Sequence, residues 1–189
     1  MAPRAGLDEA VVMRAAAELV DEEGFEGLSL SRLAERLGVR SPSLYKHVAG
    51  LEAVQRGVAL LALRAIARRM AEAAVGKAGP DAMMAIAEAY RAYAKEHPGL
   101  YAATLRAPEP GDREWDEASD QLLGIIIRVL EPFALGEEGT LHAIRGLRSL
   151  VHGFASLESS GGFGMPLDID ESFRRLMTSF LAGLRAERT

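Results

Sequence analysis

Ser41, Ser43, Tyr45, Lys46 and His47 place hydroxyls, an ammonium and an imidazole in one short run, with Arg40 just before them. Donors and cations at this density suit hydrogen bonding and charge pairing to a polyanion such as DNA. They do not make a catalyst. His47, His97, His142 and His152 form no His-Glu-x-x-His pair, and no Gly-x-Ser-x-Gly occurs. Gly161-Gly-Phe-Gly164 lacks the Gly-Lys-Ser/Thr of a phosphate loop and follows no predicted strand. Cysteine is absent, which excludes a thiol nucleophile, a disulfide scaffold and Cys-ligated metal. An enzyme, a metal and a cofactor are therefore not expected. The net charge of −5 excludes polyanion binding by the whole surface, though not by a local patch.

Two short helices must hold these groups. Leu30, Leu33, Ala34 and Leu37 fall on one helical face, and Gly38 follows where a tight turn needs a residue free to take positive φ. Ser41 reads as the N-cap and Pro42 as the first residue of a second helix reaching Val48, with Leu44 and Val48 on its buried side. Two helices joined by a glycine turn form a helix-turn-helix, and Ala34 supplies the small side chain a close crossing needs. The polar residues then face away from, or flank, the buried side, and the helix N-terminus offers free N–H groups to a phosphate. From Arg32 to Arg56 there are five basic residues against Glu35 and Glu52. Glu18, Asp21, Glu22, Glu23 and Glu26 precede them, which reads as segregated charge.

The chain of 189 residues is rich in Ala, Leu, Glu and Arg and shows no period-2 alternation, so the fold class is all-α. Caps and breakers predict about nine helices, over 8–23, 29–37, 41–48, 51–75, 81–96, 100–106, 112–130, 137–158 and 168–184, with Gly79-Pro80 as a break and Asp112 as a cap. Gly57–Leu63 is the longest apolar run, too short to span a bilayer, and Asp8 and Glu9 interrupt any leader pattern. No membrane association is expected, and a cytoplasmic location is.

The run Gly27-Leu-Ser-Leu-Ser-Arg-Leu-Ala-Glu-Arg-Leu-Gly-Val-Arg-Ser-Pro-Ser-Leu-Tyr-Lys-His-Val48 closely resembles the DNA-binding domain of tetracycline-repressor (TetR) family regulators. Gly38-Val39, Pro42, Leu44-Tyr45 and His47-Val48 carry the match. The resemblance implies a helix-turn-helix domain over residues 1–50 and a helical ligand-binding and dimerisation domain over 51–189. It implies a homodimeric repressor that binds a palindromic double-stranded DNA operator and is released by a small-molecule effector. By position, Ser41, Pro42 and Ser43 fall where the family reads bases, with Arg40 beside them. Tyr45, Lys46 and His47 fall where it touches phosphate and sugar, and Ser29 and Ser31 where it contacts phosphate. Arg4 falls in an N-terminal arm. Leu51 departs from the family, which often has a phosphate-gripping Lys there. Two other classes stand beside this reading: a helix-turn-helix used for protein–protein contact, and a small helical enzyme.

The rest of the chain is less explicit. His152-Gly153 resembles part of a Trp-His-Gly-type C-terminal domain, with Val151 at the Trp position. Helices 8 and 9 are expected to form the dimer interface, with Leu147 and Phe180 in it. Met84, Tyr90, Tyr93, Trp115, Leu122, Ile126 and His152 are the expected ligand-binding residues, with Met83, Tyr101 and Phe133 as further linings. Arg145, Arg148 and His152 form a basic stripe that binds an anion or pairs with carboxylates across an interface, for which Glu158, Asp168 and Asp170 are available. A hydrophobic effector, uncharged or singly charged, follows, with Arg145 or His152 as anchor for a carboxylate.

Overall fold

The computed structural model describes residues 7–106 and 109–186. Arg4 lies outside the described residues. Among those described there are nine α-helices and no strand: α1 Glu9–Glu23, α2 Leu30–Leu37, α3 Ser41–Leu44, α4 Leu51–Ala74, α5 Gly79–Glu96, α6 Pro98–Ala103, α7 Arg113–Leu130, α8 Gly136–Ser159 and α9 Ile169–Ala186. Two 3₁₀ turns, Phe25–Gly27 and Glu131–Phe133, join α1 to α2 and close α7.

The starts and stops follow local chemistry. Asp8 accepts the Val11 N–H at 2.8 Å and caps α1. Asp168 accepts from the N–H groups of Asp170 and Glu171, and so caps α9. The larger differences from the sequence expectation are four, the first at α6, which spans Pro98–Ala103 rather than 100–106 because Pro98 opens the helix as its first residue. α3 is one turn, not a helix to Val48: the N–H groups of Ser43, Lys46 and His47 bond three residues back, so the chain tightens into 3₁₀-like turns. Arg40, not Ser41, is the cap position, because the extended-to-helical switch falls at Arg40, and no side chain caps α3. Gly79-Pro80 opens α5 rather than breaking the chain, since proline lacks only an N–H that a first turn leaves unused.

Packing divides the chain into two compact units, which do not follow a cut at residue 50. The first takes the described residues through Leu63 together with those from His97 to Asp112; the second takes Arg64–Glu96 and the residues from Arg113 onward. Val12, Leu19, Leu33, Leu44 and Val58 fill the interior of the first. Met70, Met83, Ile86, Leu130, Leu147 and Met177 fill that of the second.

Candidate nucleic-acid interface

Gly38 takes φ 65°, the left-handed conformation the turn requires. Val39 N–H bonds back to the Ala34 carbonyl at 3.0 Å, and Gly38 N–H to that of Glu35 at the same distance. Ala34 is buried against the neighbouring helices, and Leu44 is fully buried at the far side of the turn. The apolar residues thus lock the turn and leave the polar ones outside. Ser31, Arg40, Pro42, Tyr45 and Lys46 are exposed; Ser29, Ser41, Ser43 and His47 are half-buried. Tyr45 is 63% exposed, so its ring does not pack into the core.

The hydrogen bonds separate two kinds of serine. Ser29 caps α2, its hydroxyl accepting the Arg32 N–H at 3.3 Å, and keeps its own O–H to donate. The side chains of Ser41, Ser43, Tyr45, Lys46 and His47 make no hydrogen bond or ion pair among the described residues. A row of solvent-accessible donors without internal partners, Tyr45 and Lys46 exposed and the other three half-buried, is what an external polar surface requires.

The charge pattern corrects the sequence reading. The acidic run does not stand apart from the basic one. Arg32 pairs with Glu23 at 2.5 Å and Glu35 at 3.1 Å; Arg36 pairs with Glu22 at 2.6 Å and Glu18 at 3.6 Å. The hydrogen bond from Arg36 holds the Glu22 carboxyl below its ordinary range, and Glu22 in turn holds the Arg36 proton more firmly. Arg56 pairs with Asp112 at 2.5 Å, as a positioning contact within the first unit. Of the five cations counted from Arg32 to Arg56, only Arg40 and Lys46 make no ion pair among the described residues. Both flank or follow α3, so the local field is narrower than the residue count implies and is centred on the recognition turn.

Sequence reasoning missed the part of the first unit that comes from residues 97–112. His97 bonds through Nδ1 to Asp21 of α1 at 2.7 Å. Gly99 lies so close to α1 that a Cβ there would sit 2.0 Å from the Val20 carbonyl oxygen. Arg106 donates to Gln55 at 2.7 Å and covers the Phe25 ring. The available signal was Gly99 itself, a glycine directly after Pro98 in the first turn of a helix, where a side chain is normally tolerated.

In the second unit, Tyr90, Tyr93, Trp115 and Ile126 are buried as core, and Met84, Leu122 and His152 are half-buried. Of the further candidates, Met83 and Phe133 are buried in the second unit and Tyr101 in the first. An open cavity of about 360 Å³ in this unit is lined by none of them. Within the chain, Glu158 and Asp170 pair with Arg91 of α5. Arg91 grips Glu158 at 2.8 and 2.9 Å, meets Asp170 at 2.8 Å, and lies between the Phe154 and Phe173 rings at 5.0 and 4.8 Å. Lys95 adds a bond to Glu158 at 2.9 Å. Burial works against the charge of Arg91, but the bonds to Glu158 and Asp170 outweigh it and raise its proton affinity. The bond from Arg91 holds the Glu158 carboxyl below its ordinary range. Leu147 is 2% exposed inside its own subunit, which corrects its expected place in a dimer contact. The outward apolar residues are Leu141 and Leu157 on α8 and Leu176 on α9, while half-buried Phe180 lies on Gly146.

Comparison with known proteins gives this arrangement its context. Residues 12–48 match bacterial regulatory proteins of the tetR family, and residues 83–180 match a tetracyclin repressor-like C-terminal domain. The HTH-type transcriptional regulator YobS of Bacillus subtilis is 38% identical over 97% of this chain and 96% of its own. A protein from Rhodococcus sp. RHA1 superposes with a TM-score of 0.81 at 22% identity, covering 98% of this chain and 100% of that one. A TetR variant from Acinetobacter baumannii AYE, solved in complex with minocycline, superposes with a TM-score of 0.68 at 23% identity, covering 97% and 99%. Among the described residues no helix is long and apolar enough to cross a membrane. On these matches the chain belongs to the tetR family, DNA-binding regulators of transcription that are not enzymes.

Proposed function

We propose that this chain is a repressor that binds a palindromic operator as a homodimer and leaves it when a small molecule binds the second unit. The observation that carries the reading is the set of exposed and half-buried donors, Arg40, Ser41, Ser43, Tyr45, Lys46 and His47, whose side chains have no internal partner on a locked turn. Ser41, Pro42 and Ser43 meet base edges; Ser29, Ser31, Tyr45, Lys46 and His47 meet the backbone of the duplex, and Arg40 adds charge beside them. The functional division runs near residue 50, although packing joins later residues to the first unit.

The dimer is held by the outward faces of α8 and α9, where Leu157 and Leu176 are exposed beside half-buried Phe180, and Leu176→Glu breaks it. Two recognition turns then meet successive major grooves ~34–36 Å apart, or a multiple of that. The effector acts on the second unit; that a protein of this fold takes up a small molecule is seen in the minocycline complex of the Acinetobacter structure. A ligand that reaches Tyr90, Tyr93, Trp115 or Ile126 must displace core packing, and Met84, Leu122 and His152 lie nearer the surface. Displacing packing ties binding to a change of conformation, which a release mechanism needs. α4 carries the signal, since it contributes residues to both units.

Footprinting the protein on DNA upstream of its own gene and its neighbours tests this. A protected palindrome, lost for Leu176→Glu at the same concentration, is expected. Protection of one half-site alone, or none at low salt, contradicts it.

A further inference from the structure

Resting on the reading that the second unit receives an effector, we infer that the open cavity between the end of α4, the start of α5 and the end of α7 binds a small amphipathic anion. Its apolar part comes from Ala74, Ala82, Ile125 and Val129, and its mouth holds Lys77 and Arg128. Ala82 and Val129 are buried and form the floor, whereas Lys77 and Arg128 are exposed at the rim. The volume of about 360 Å³ lies at the low end of the range of roughly 300–1,000 Å³ for ligand pockets, so it fits a short chain rather than a fused-ring compound. Small side chains, not displaced ones, make the space: alanines stand where larger residues would close it.

The two cations decide the head group. Lys77 Nζ donates to the Ala73 carbonyl at 2.8 Å and Arg128 Nε to the Gly124 carbonyl at 3.1 Å. Each bond fixes its side chain at the rim and uses one donor, leaving two on the ammonium and four on the guanidinium. Neither makes an ion pair among the described residues, and no carboxylate lines the cavity. Two tethered, unneutralised cations above an apolar floor fit one anionic head, carboxylate or phosphate, on a short apolar tail. This assigns the anchor to Lys77 and Arg128 instead of Arg145 or His152.

Titration calorimetry on the full chain with octanoate, octyl phosphate and octanol tests the site. At least one anion binds once per subunit, and octanol binds about tenfold more weakly or worse. The better anion identifies the head. A Lys77→Gln, Arg128→Gln double variant, altered only at exposed positions, loses about tenfold for the anion and nothing for octanol. Ala74→Trp fills the cavity and weakens all three; where it fails to fold, the double variant carries the test. Octanol binding as tightly as the anions, anion affinity unchanged in the double variant, or no binding of either anion overturns the site. Operator release is read separately by gel shift. Binding without release contradicts the proposed switch and leaves the site, whereas absence of binding overturns the site and leaves operator recognition.

Discussion

The recognition turn and the Arg91 cluster are both fixed by a few specific contacts, but those contacts come from different distances along the chain. At the turn, the Ser29 cap, buried Ala34, left-handed Gly38 and buried Leu44 lie in one short stretch of sequence. In the second unit, Arg91 finds its carboxylate 67 residues away on Glu158 and two rings on α8 and α9. Spacing rules describe the first because helix periodicity and turn chemistry act locally. They are silent on the second, because nothing near Arg91 says which carboxylate will reach it.

Removing Arg91 should have the largest effect. Arg91→Ala leaves Glu158 in a buried site with Lys95 alone, and loss of one partner of a buried pair costs about 3–5 kcal/mol. Thermal denaturation reads it. A double Arg91→Met, Glu158→Leu variant should recover much of the loss, and no recovery would mean that packing, not charge, was lost. In the first unit, Gly99→Ala should cost about 1–3 kcal/mol, because its Cβ meets the Val20 carbonyl and α6 must move off α1. An unchanged melting temperature would refute that contact.

These cases mark how far the sequence carries. The number and order of the helices, the turn at Gly38 and the polar row of Ser41, Ser43, Tyr45, Lys46 and His47 were legible, since they rest on caps, breakers, periodicity or a backbone that only glycine adopts easily. The short α3 was not, because tightening after Leu44 depends on bonds that composition does not show. Nor was the pairing of Arg36 with Glu22 or the place of residues 97–112, which only tertiary packing decides. Arg91 did leave a trace: it follows Ala87 by four residues on the buried face of α5, and a charge in that register requires a buried partner.

A smaller effect in the second unit is read by pH. The Glu158 carboxyl is held below its ordinary range in the folded chain, so it contributes stability above its unfolded pKa of about 4.3, and that stability is lost as pH falls through the folded value. Melting temperature should therefore drop on acidification below about pH 4.3, and less steeply for Glu158→Gln. Equal slopes for both proteins would remove Glu158 from the acid response.

The smallest change in energy tests the central claim most directly. Operator affinity measured across a salt series gives the number of phosphates neutralised. If Lys46 is an unpaired cation at the interface and Arg36 is held by Glu22 and Glu18, the two must behave differently. Lys46→Ala should reduce the steepness of log K against log salt by about 0.9 per subunit, with no loss of fold, and Arg36→Gln should leave it unchanged. A slope unaffected by Lys46→Ala, or reduced equally by Arg36→Gln, would contradict the interface described for this chain.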